Sequence, residues 1–176
     1  MIFGNSGSGK STLAHELALE NNLAHLDLDI VAWKPVSPPE RLSVLESSKQ
    51  INDFLLANSA WVIEGCYSDL LELVTQQADE VIFLNLPVSI CIENAKNRPW
   101  EPHKYESKEA QDENLEMLVD WISQYAHRHD TFSKAAHEKL FAEFQGKKQC
   151  MYQTSAVLNE LGERTLTASY NNGATS

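Results

Sequence analysis

The sequence predicts an α/β fold, a parallel sheet covered by helices on both faces. Three observations carry that prediction. Short apolar runs alternate along the chain with amphipathic stretches, the order that strand–helix–strand units produce. The clearest run, Val81-Ile82-Phe83-Leu84-Asn85-Leu86, is almost continuously apolar, as a strand buried on both faces must be. Between the first apolar run and the first amphipathic stretch stands a glycine-rich segment, Gly4 to Ser11.

Met1-Ile2-Phe3 is the first strand. It is short against the usual length of about five or six residues, so either the strand is short here or the natural start lies upstream. Ser11 to Asn21 reads as a helix, with Leu13 and Leu17 on one face and Asn21-Asn22 as its stop. Leu23 to Leu28 is the second strand, ending in Asp27-Leu28-Asp29. A loop with Trp33, Pro35, Pro38 and Pro39 follows. Ser37-Pro38-Pro39-Glu40 predicts the next helix start: serine caps, proline takes the first helical position, and Glu40 stands where a capping box places it. That helix is expected to run to Ala57.

Trp61-Val62-Ile63 is a buried strand ending at Glu64-Gly65. A short helix from Ser68 to Thr75 precedes the Val81–Leu86 strand, which Pro87 closes. Val88 to Asn97 forms a helix, and Arg98 to Lys104 is irregular. The helix from Lys108 to His127 places Leu115, Leu118, Val119 and Ile122 on one stripe, and another runs from Thr131 to Phe144. Lys148 to Tyr152 is the last strand and Ala156 to Leu161 the last helix, stopped by Gly162. The tail after Thr165 has no periodicity and is expected to fray.

The totals exclude several classes. A chain of 176 residues suits one domain with one core. It has no apolar run of about 18 residues, so no spanning helix is expected, and its first residues lack the basic stretch of a secretion signal. The cytoplasm is the expected location, with no membrane partner. The formal net charge is −11, from 25 acids against 14 bases. Nucleic-acid surfaces need clustered cations to displace counterions, and the only adjacent basic pair is Lys147-Lys148. Cys66, Cys91 and Cys150 are odd in number and form no CxxC pair, which reads as free thiols. The histidines show no metal spacing; His127 and His129 do not share a helix face, and His25 reads as a packed strand residue.

The chemistry begins at Gly4-Asn5-Ser6-Gly7-Ser8-Gly9-Lys10-Ser11, which matches G-x-x-x-x-G-K-[ST] at every fixed position. Such a loop lets successive backbone N–H groups turn inward around a phosphate, with the following helix pointing its positive end at the same anion. Nucleoside triphosphate binding, most simply Mg-ATP, is therefore expected through Gly4, Ser6, Gly7, Ser8, Gly9, Lys10, Ser11 and Thr12. Lys10 reaches the β- and γ-phosphates, and the Ser11 hydroxyl ligates Mg²⁺. Carboxylates say what happens next. Asp27 and Asp29 lie two apart at the carboxyl end of the second strand, where α/β folds place ligands, and period-two spacing would turn both to one side of an extended chain. One would hold Mg²⁺-bound water and the other orient an attacking hydroxyl. Glu64, directly after a buried strand, is the second candidate for that task.

The stretches GNSGSGKSTLA, HLDLD with Trp33-Lys34-Pro35, WVIEGCYSDLLEL and ADEVIFLNLP resemble the small P-loop kinases of the adenylate-kinase and shikimate-kinase type. The nearest resemblance is to the FlaR-like subgroup, often labelled DNA-topology modulation. It covers Met1 to Arg98. The resemblance implies a three-layer P-loop NTPase fold with a five-stranded parallel sheet in order 2-3-1-4-5. It also implies a mobile substrate-binding segment over residues 35–59 and a lid over residues 98–107. By position, Asp27 matches the aspartate near Mg²⁺, Asp29 the one that holds the acceptor, Glu64 the acid of the third strand, and Arg98 the start of the lid. The glycine triplet that shikimate kinases carry after the third strand is replaced here by Gly65-Cys66-Tyr67.

The chain has four arginines, Arg41, Arg98, Arg128 and Arg164. Enzymes that clamp two phosphate-bearing substrates use several, because the guanidinium fork suits phosphate oxygens. Only Arg98 and Arg128 are expected near the site, with Lys96, His103 and Lys104 as helpers, so an acceptor without phosphate is favoured. Trp33 and Trp100 flank the two expected mobile segments and read as anchors. The expected function is a Mg-ATP-dependent phosphotransferase acting on a small-molecule hydroxyl or phosphate. Lys10, Asp29, Glu64 and Arg98 are its catalytic residues, and Ser11 and Asp27 its metal ligands. A nucleotide-binding regulatory module and a nucleic-acid-linked ATPase would use the same loop without a small-molecule acceptor.

Overall fold

The computed structural model describes residues 1–36, 38–101 and 106–153. Among these, five strands form one parallel sheet in the order β2-β3-β1-β4-β5: β1 Ile2–Gly4, β2 Ala24–Asp27, β3 Trp61–Gly65, β4 Glu80–Leu84 and β5 Lys147–Met151. The order is the one implied by the resemblance. The register sets Asp27 opposite Glu64 and Ile2 opposite Glu64, so the carboxyl ends of β1, β2 and β3 finish level with one another.

Period-two alternation sends neighbouring strand residues into two different cores. Phe3, Ile63, Val81 and Phe83 enter one, covered by α2 (Leu28–Ala32), α3 (Val44–Ala57), α4 (Ser68–Glu72) and α8 (Lys134–Glu143). Ile2, Val62, Ile82 and Leu84 enter the other, with Leu13 and Leu17 of α1 (Lys10–Asn21), Cys91 and Ala95 of α5 (Val88–Lys96) and Ile122 of α7 (Leu115–Ser123). Burial on both faces is the physical reason the strand sequences are apolar without alternation. Glu64 follows Val62 by two, so it faces the α1 side. No helix among the described residues is long and apolar enough to cross a membrane.

Several elements differ from their sequence-predicted bounds. The second strand stops at Asp27, because Leu28 already begins a helix whose N-cap is the Asp27 side chain, accepting from the Asp29 N–H at 2.8 Å. Asp27 and Asp29 therefore do not lie on one side of an extended chain. The helix expected to start at Ser37-Pro38-Pro39-Glu40 starts instead at Val44. There Ser43 and Glu46 close a complete capping box, the stronger start signal. Trp33 and Arg41 pair antiparallel, Leu42 N–H donates to the Ala32 carbonyl, and Glu40 pairs with Lys34 at 2.7 Å, which holds Trp33, Lys34 and Glu40 to Leu42 out of the helix. Ser37 itself lies outside the described residues.

The helix expected from Lys108 to His127 is divided at Asn114 into α6 (Lys108–Glu113) and α7, with a 3₁₀ turn over Gln124–Ala126. The helix expected from Ser68 to Thr75 stops at Glu72 and gives way to a 3₁₀ turn at Thr75–Gln77. That expected from Thr131 starts at Lys134, capped by the Ser133 hydroxyl. Of the expected lid, residues 102–105, which include His103 and Lys104, lie outside the described residues, as do the expected last helix Ala156–Leu161 and the tail.

Candidate active site

At the carboxyl ends of the strands a cavity of about 570 Å³ opens over the glycine loop. That size suits a small-molecule site. Its wall gathers Ser6, Gly7, Ser8, Gly9, Lys10, Ser11, Thr12, Asp27, Asp29, Glu64 and Arg98. Of the phosphate-loop, metal and catalytic candidates Gly4 stands apart from it, as the last residue of β1 where strand becomes loop, and Lys96, expected as a helper, does not line it either.

The loop's glycines have steric reasons. Gly4 has φ 152°, and a Cβ there would sit 2.5 Å from the Leu84 carbonyl oxygen. At Gly7, φ is 76° and a Cβ would meet the Cys91 carbonyl oxygen at 2.3 Å. No side chain fits either place. Two asparagines tie the loop to its surroundings: Asn94 of α5 donates to the Gly7 carbonyl at 2.9 Å, and Asn5 of the loop donates to the Ile122 carbonyl at 3.1 Å. Lys10 is buried and its ammonium donates to the Asn5 carbonyl at 3.0 Å, folded back over the loop it would share with a phosphate. The Ser8 hydroxyl, also buried, has no hydrogen-bond partner among the described residues.

Glu64 is 1% exposed. Burial pushes its carboxyl up to about 7, while the nearby Lys10 ammonium pulls it back and Asp27 raises it further. One of its oxygens, Oε1, is buried without a hydrogen bond among the described residues. His25 Nε2 lies 3.9 Å from that oxygen. Burial holds His25 below its ordinary value, so this approach is a contact of a neutral imidazole and not an ion pair at neutral pH.

Asp29, in the first turn of α2, is held by two residues that are not among the expected catalytic, nucleotide-binding or metal residues. The Tyr67 hydroxyl donates to Asp29 Oδ1 at 2.6 Å, and the Trp33 indole N–H donates to that hydroxyl at 2.6 Å. Trp33 is thus an anchor, and what it anchors is the carboxylate. Tyr67 is 2% exposed, and burial together with Asp29 raises its phenol well above the ordinary range, so it stays a donor. Its signal in the sequence was its position, two residues beyond a strand that ends in glycine. Cys66 also lines the cavity, but burial pushes its thiol up to about 12, which removes it as a nucleophile. The Cys66 carbonyl accepts from His137 Nε2 at 3.0 Å, so Nδ1 of that ring accepts from the Tyr125 hydroxyl at 2.8 Å.

Arg98 lines the cavity with its guanidinium on Glu101 at 2.9 Å. Arg128, expected near the site for phosphate, does not line it. Its guanidinium stacks 3.6 Å from the Trp121 ring and bonds Asp130 at 2.6 Å.

No protein-family model matches the chain. It is 28% identical over 150 residues, 81% of each chain, to the uncharacterized protein YqaC of Bacillus subtilis (strain 168). Among solved structures it is similar to a sugar kinase from Janibacter sp. HTCC2649, solved without ligand, at 14% identity and TM-score 0.51, over 94% of this chain and 90% of that one. It is also similar to TT1252 from Thermus thermophilus, at 16% identity and TM-score 0.53, over 99% and 96%. These likenesses are of fold. With the 2-3-1-4-5 sheet they show the three-layer α/β P-loop fold.

Proposed function

We propose that the protein is a Mg-ATP-dependent phosphotransferase acting on the hydroxyl of a small molecule. The observation that carries this reading is the convergence of Lys10, Ser11, Asp27, Asp29 and Glu64 on one cavity at the strand ends. A binding switch needs the phosphate loop; it does not need a buried carboxylate and a hydrogen-bonded one beyond it.

In this reading the loop amides and the α1 N-terminus receive the triphosphate, and Lys10 leaves the Asn5 carbonyl for the β- and γ-phosphates. The donor set of Ser11 hydroxyl and Asp27 carboxylate is all oxygen, which fits Mg²⁺, an ion that completes its shell from phosphates and water. Bound there, the ion supplies positive charge to the transferring phosphoryl group. Asp29, its carboxylate oriented by Tyr67, accepts the proton of the acceptor hydroxyl. The acceptor oxygen bonds to the γ-phosphorus as the bond from that phosphorus to the β-bridging oxygen breaks, and ADP leaves. Glu64, beside Ser11 and Asp27, orients the acceptor from the other side. Arg98 offers a further cation when the segment after α5 closes.

The test is ADP release from Mg-ATP against a panel of nucleosides, nucleoside monophosphates, sugar alcohols and hydroxy acids, with Lys10→Ala as control. We expect one acceptor class to stimulate release, and Lys10→Ala to reduce it by about a hundredfold or more while the circular dichroism spectrum is unchanged. Undiminished turnover by Lys10→Ala would overturn the mechanism. A slow background that no acceptor stimulates would shift the reading to a regulatory module or a nucleic-acid-linked ATPase.

A further inference from the structure

Helix α5 ends where Arg98 meets Pro99. A proline disfavours the helical conformation of the residue before it and fixes its own φ, so the chain leaves the helix stiffly at this point. The N–H groups of Asn97 and Arg98 close the last turn, on the carbonyls of Glu93 and Ala95 at 3.0 and 3.4 Å. The residues that follow are gripped by one buried side chain outside the catalytic set. Gln111 of α6 is only 9% exposed. Its Nε2 donates to the Pro99 carbonyl at 3.1 Å, and its Oε1 accepts from the Glu101 N–H at 2.9 Å. A carbonyl can only accept and a peptide N–H can only donate, so the amide seats in one orientation and holds the backbone on both sides of Trp100.

Glu101, placed by that grip, takes the Arg98 guanidinium: Nη1 donates to Oε2 at 2.9 Å, and both side chains are largely buried. Arg98, Pro99 and Glu101 line the cavity over the glycine loop, together with Lys10 and Ser11, and Gln111 does not. The ion pair spends little of the arginine. A guanidinium carries five N–H donors in a rigid fork, and among the described residues only Nη1 of Arg98 has a side-chain partner. Donors therefore remain for phosphate oxygens. A long side chain free to rotate loses that freedom when it binds, whereas one already held loses less.

We propose that Gln111 and Glu101 are positioning residues for Arg98. Gln111 sets the backbone of residues 99–101, Glu101 sets the guanidinium, and Arg98 meets the transferring phosphoryl group from a fixed place in the cavity wall. This inference rests on the phosphotransferase reading above. It gives a buried glutamine outside the cavity a part in the reaction that is exerted only through Arg98.

The experiment is a double-mutant cycle. Both kcat and KM are read from ADP release with the most effective member of a panel of nucleosides, nucleoside monophosphates, sugar alcohols and hydroxy acids. Gln111→Met keeps the bulk of the side chain and removes both hydrogen bonds, and Glu101→Gln keeps its shape and removes the charge. Each is expected to lower kcat about tenfold while the KM for ATP stays within about twofold, because a contact strengthened in the transition state acts on kcat. In an Arg98→Ala background neither change is expected to lower kcat by more than about a further twofold. A glutamine with a merely structural part would lower kcat by the same factor with or without Arg98. A Glu101 that only masks Arg98 would raise kcat when replaced by Gln. Either result, or wild-type kcat in both folded variants, overturns the inference and leaves the transferase standing. Should Gln111→Met fail to fold, Glu101→Gln, at a partly exposed side chain, carries the cycle. If no member of the panel stimulates the wild type, the transferase reading falls and this inference with it.

Discussion

His137 illustrates how much a single residue behind the site controls. It is fully buried among Phe3, Phe83 and Tyr125, donating to the Cys66 carbonyl and accepting from the Tyr125 hydroxyl. Protonation would make both ring nitrogens donors and break the Tyr125 bond. Burial accordingly lowers its pKa to about 4. A histidine whose folded pKa is depressed stabilises the fold fully above its unfolded value and loses that contribution as pH falls towards the folded value. The window runs from about 6.5 down to about 4, and the loss is on the order of 3 kcal/mol. Denaturant unfolding of the wild type and of His137→Gln over this range should show the stability difference shrinking by roughly that amount as pH falls. A constant difference would show that His137 does not titrate with unfolding. The histidine matters to function because the carbonyl it holds belongs to the Gly65-Cys66-Tyr67 turn, and Tyr67 orients Asp29.

At the scale of elements, the start of α3 decides how the chain between β2 and β3 is shared. Two capping signals compete in the sequence, Ser37 with Glu40 and Ser43 with Glu46, and the second is reciprocal: the Ser43 hydroxyl accepts from the Glu46 N–H while Glu46 accepts from the Ser43 N–H. Trp33 and Arg41 are thereby left outside the helix, where Trp33 reaches Tyr67 and Arg41 reaches Asp69. Ser43→Ala should cost about 1 kcal/mol of stability, measured by urea unfolding, without changing the KM for ATP, because the cap lies away from the phosphate loop. A rise in that KM would mean the α3 start and the phosphate loop are coupled. The same competition explains why α3 starts later than the sequence predicts: proline and glutamate satisfy a local pattern, while the pairing of Trp33 with Arg41 is a contact between residues eight apart.

At the scale of the molecule, the cavity is where both helical layers meet the sheet. Its wall takes Lys10 from α1, Asn94 from α5, Leu118 from α7 and Asp29 from α2, together with the end of β3. A ligand seated there ties these elements together, so Mg-ATP is expected to raise the thermal midpoint. At a concentration about a hundredfold above Kd the stabilisation should be about 2.7 kcal/mol. Scanning fluorimetry with and without Mg-ATP reads this directly. Lys10→Ala should lose most of the shift, and a wild type that shows none would remove the nucleotide site.

By itself the sequence determined the fold class, the glycine-rich loop between β1 and α1 and the acids that stand at the strand ends, because each depends on local chemistry. Glycine spacing around a backbone cradle, apolar runs set by burial on both faces, and acids at strand ends are properties of a few neighbouring residues. Tertiary structure alone decided what surrounds those acids. That Asp29 turns into a helix and is held by Trp33 through Tyr67, that Glu64 is buried against the α1 side, and that Arg41 and Arg128 spend their charge on Asp69 and Asp130 all depend on residues brought together across the sheet. Arg41 and Asp69 are 28 residues apart and Trp33 and Tyr67 are 34 apart. No period or local spacing encodes such pairs. They form only once the parallel sheet sets the ends of β1, β2 and β3 level and the segments that follow them share one rim.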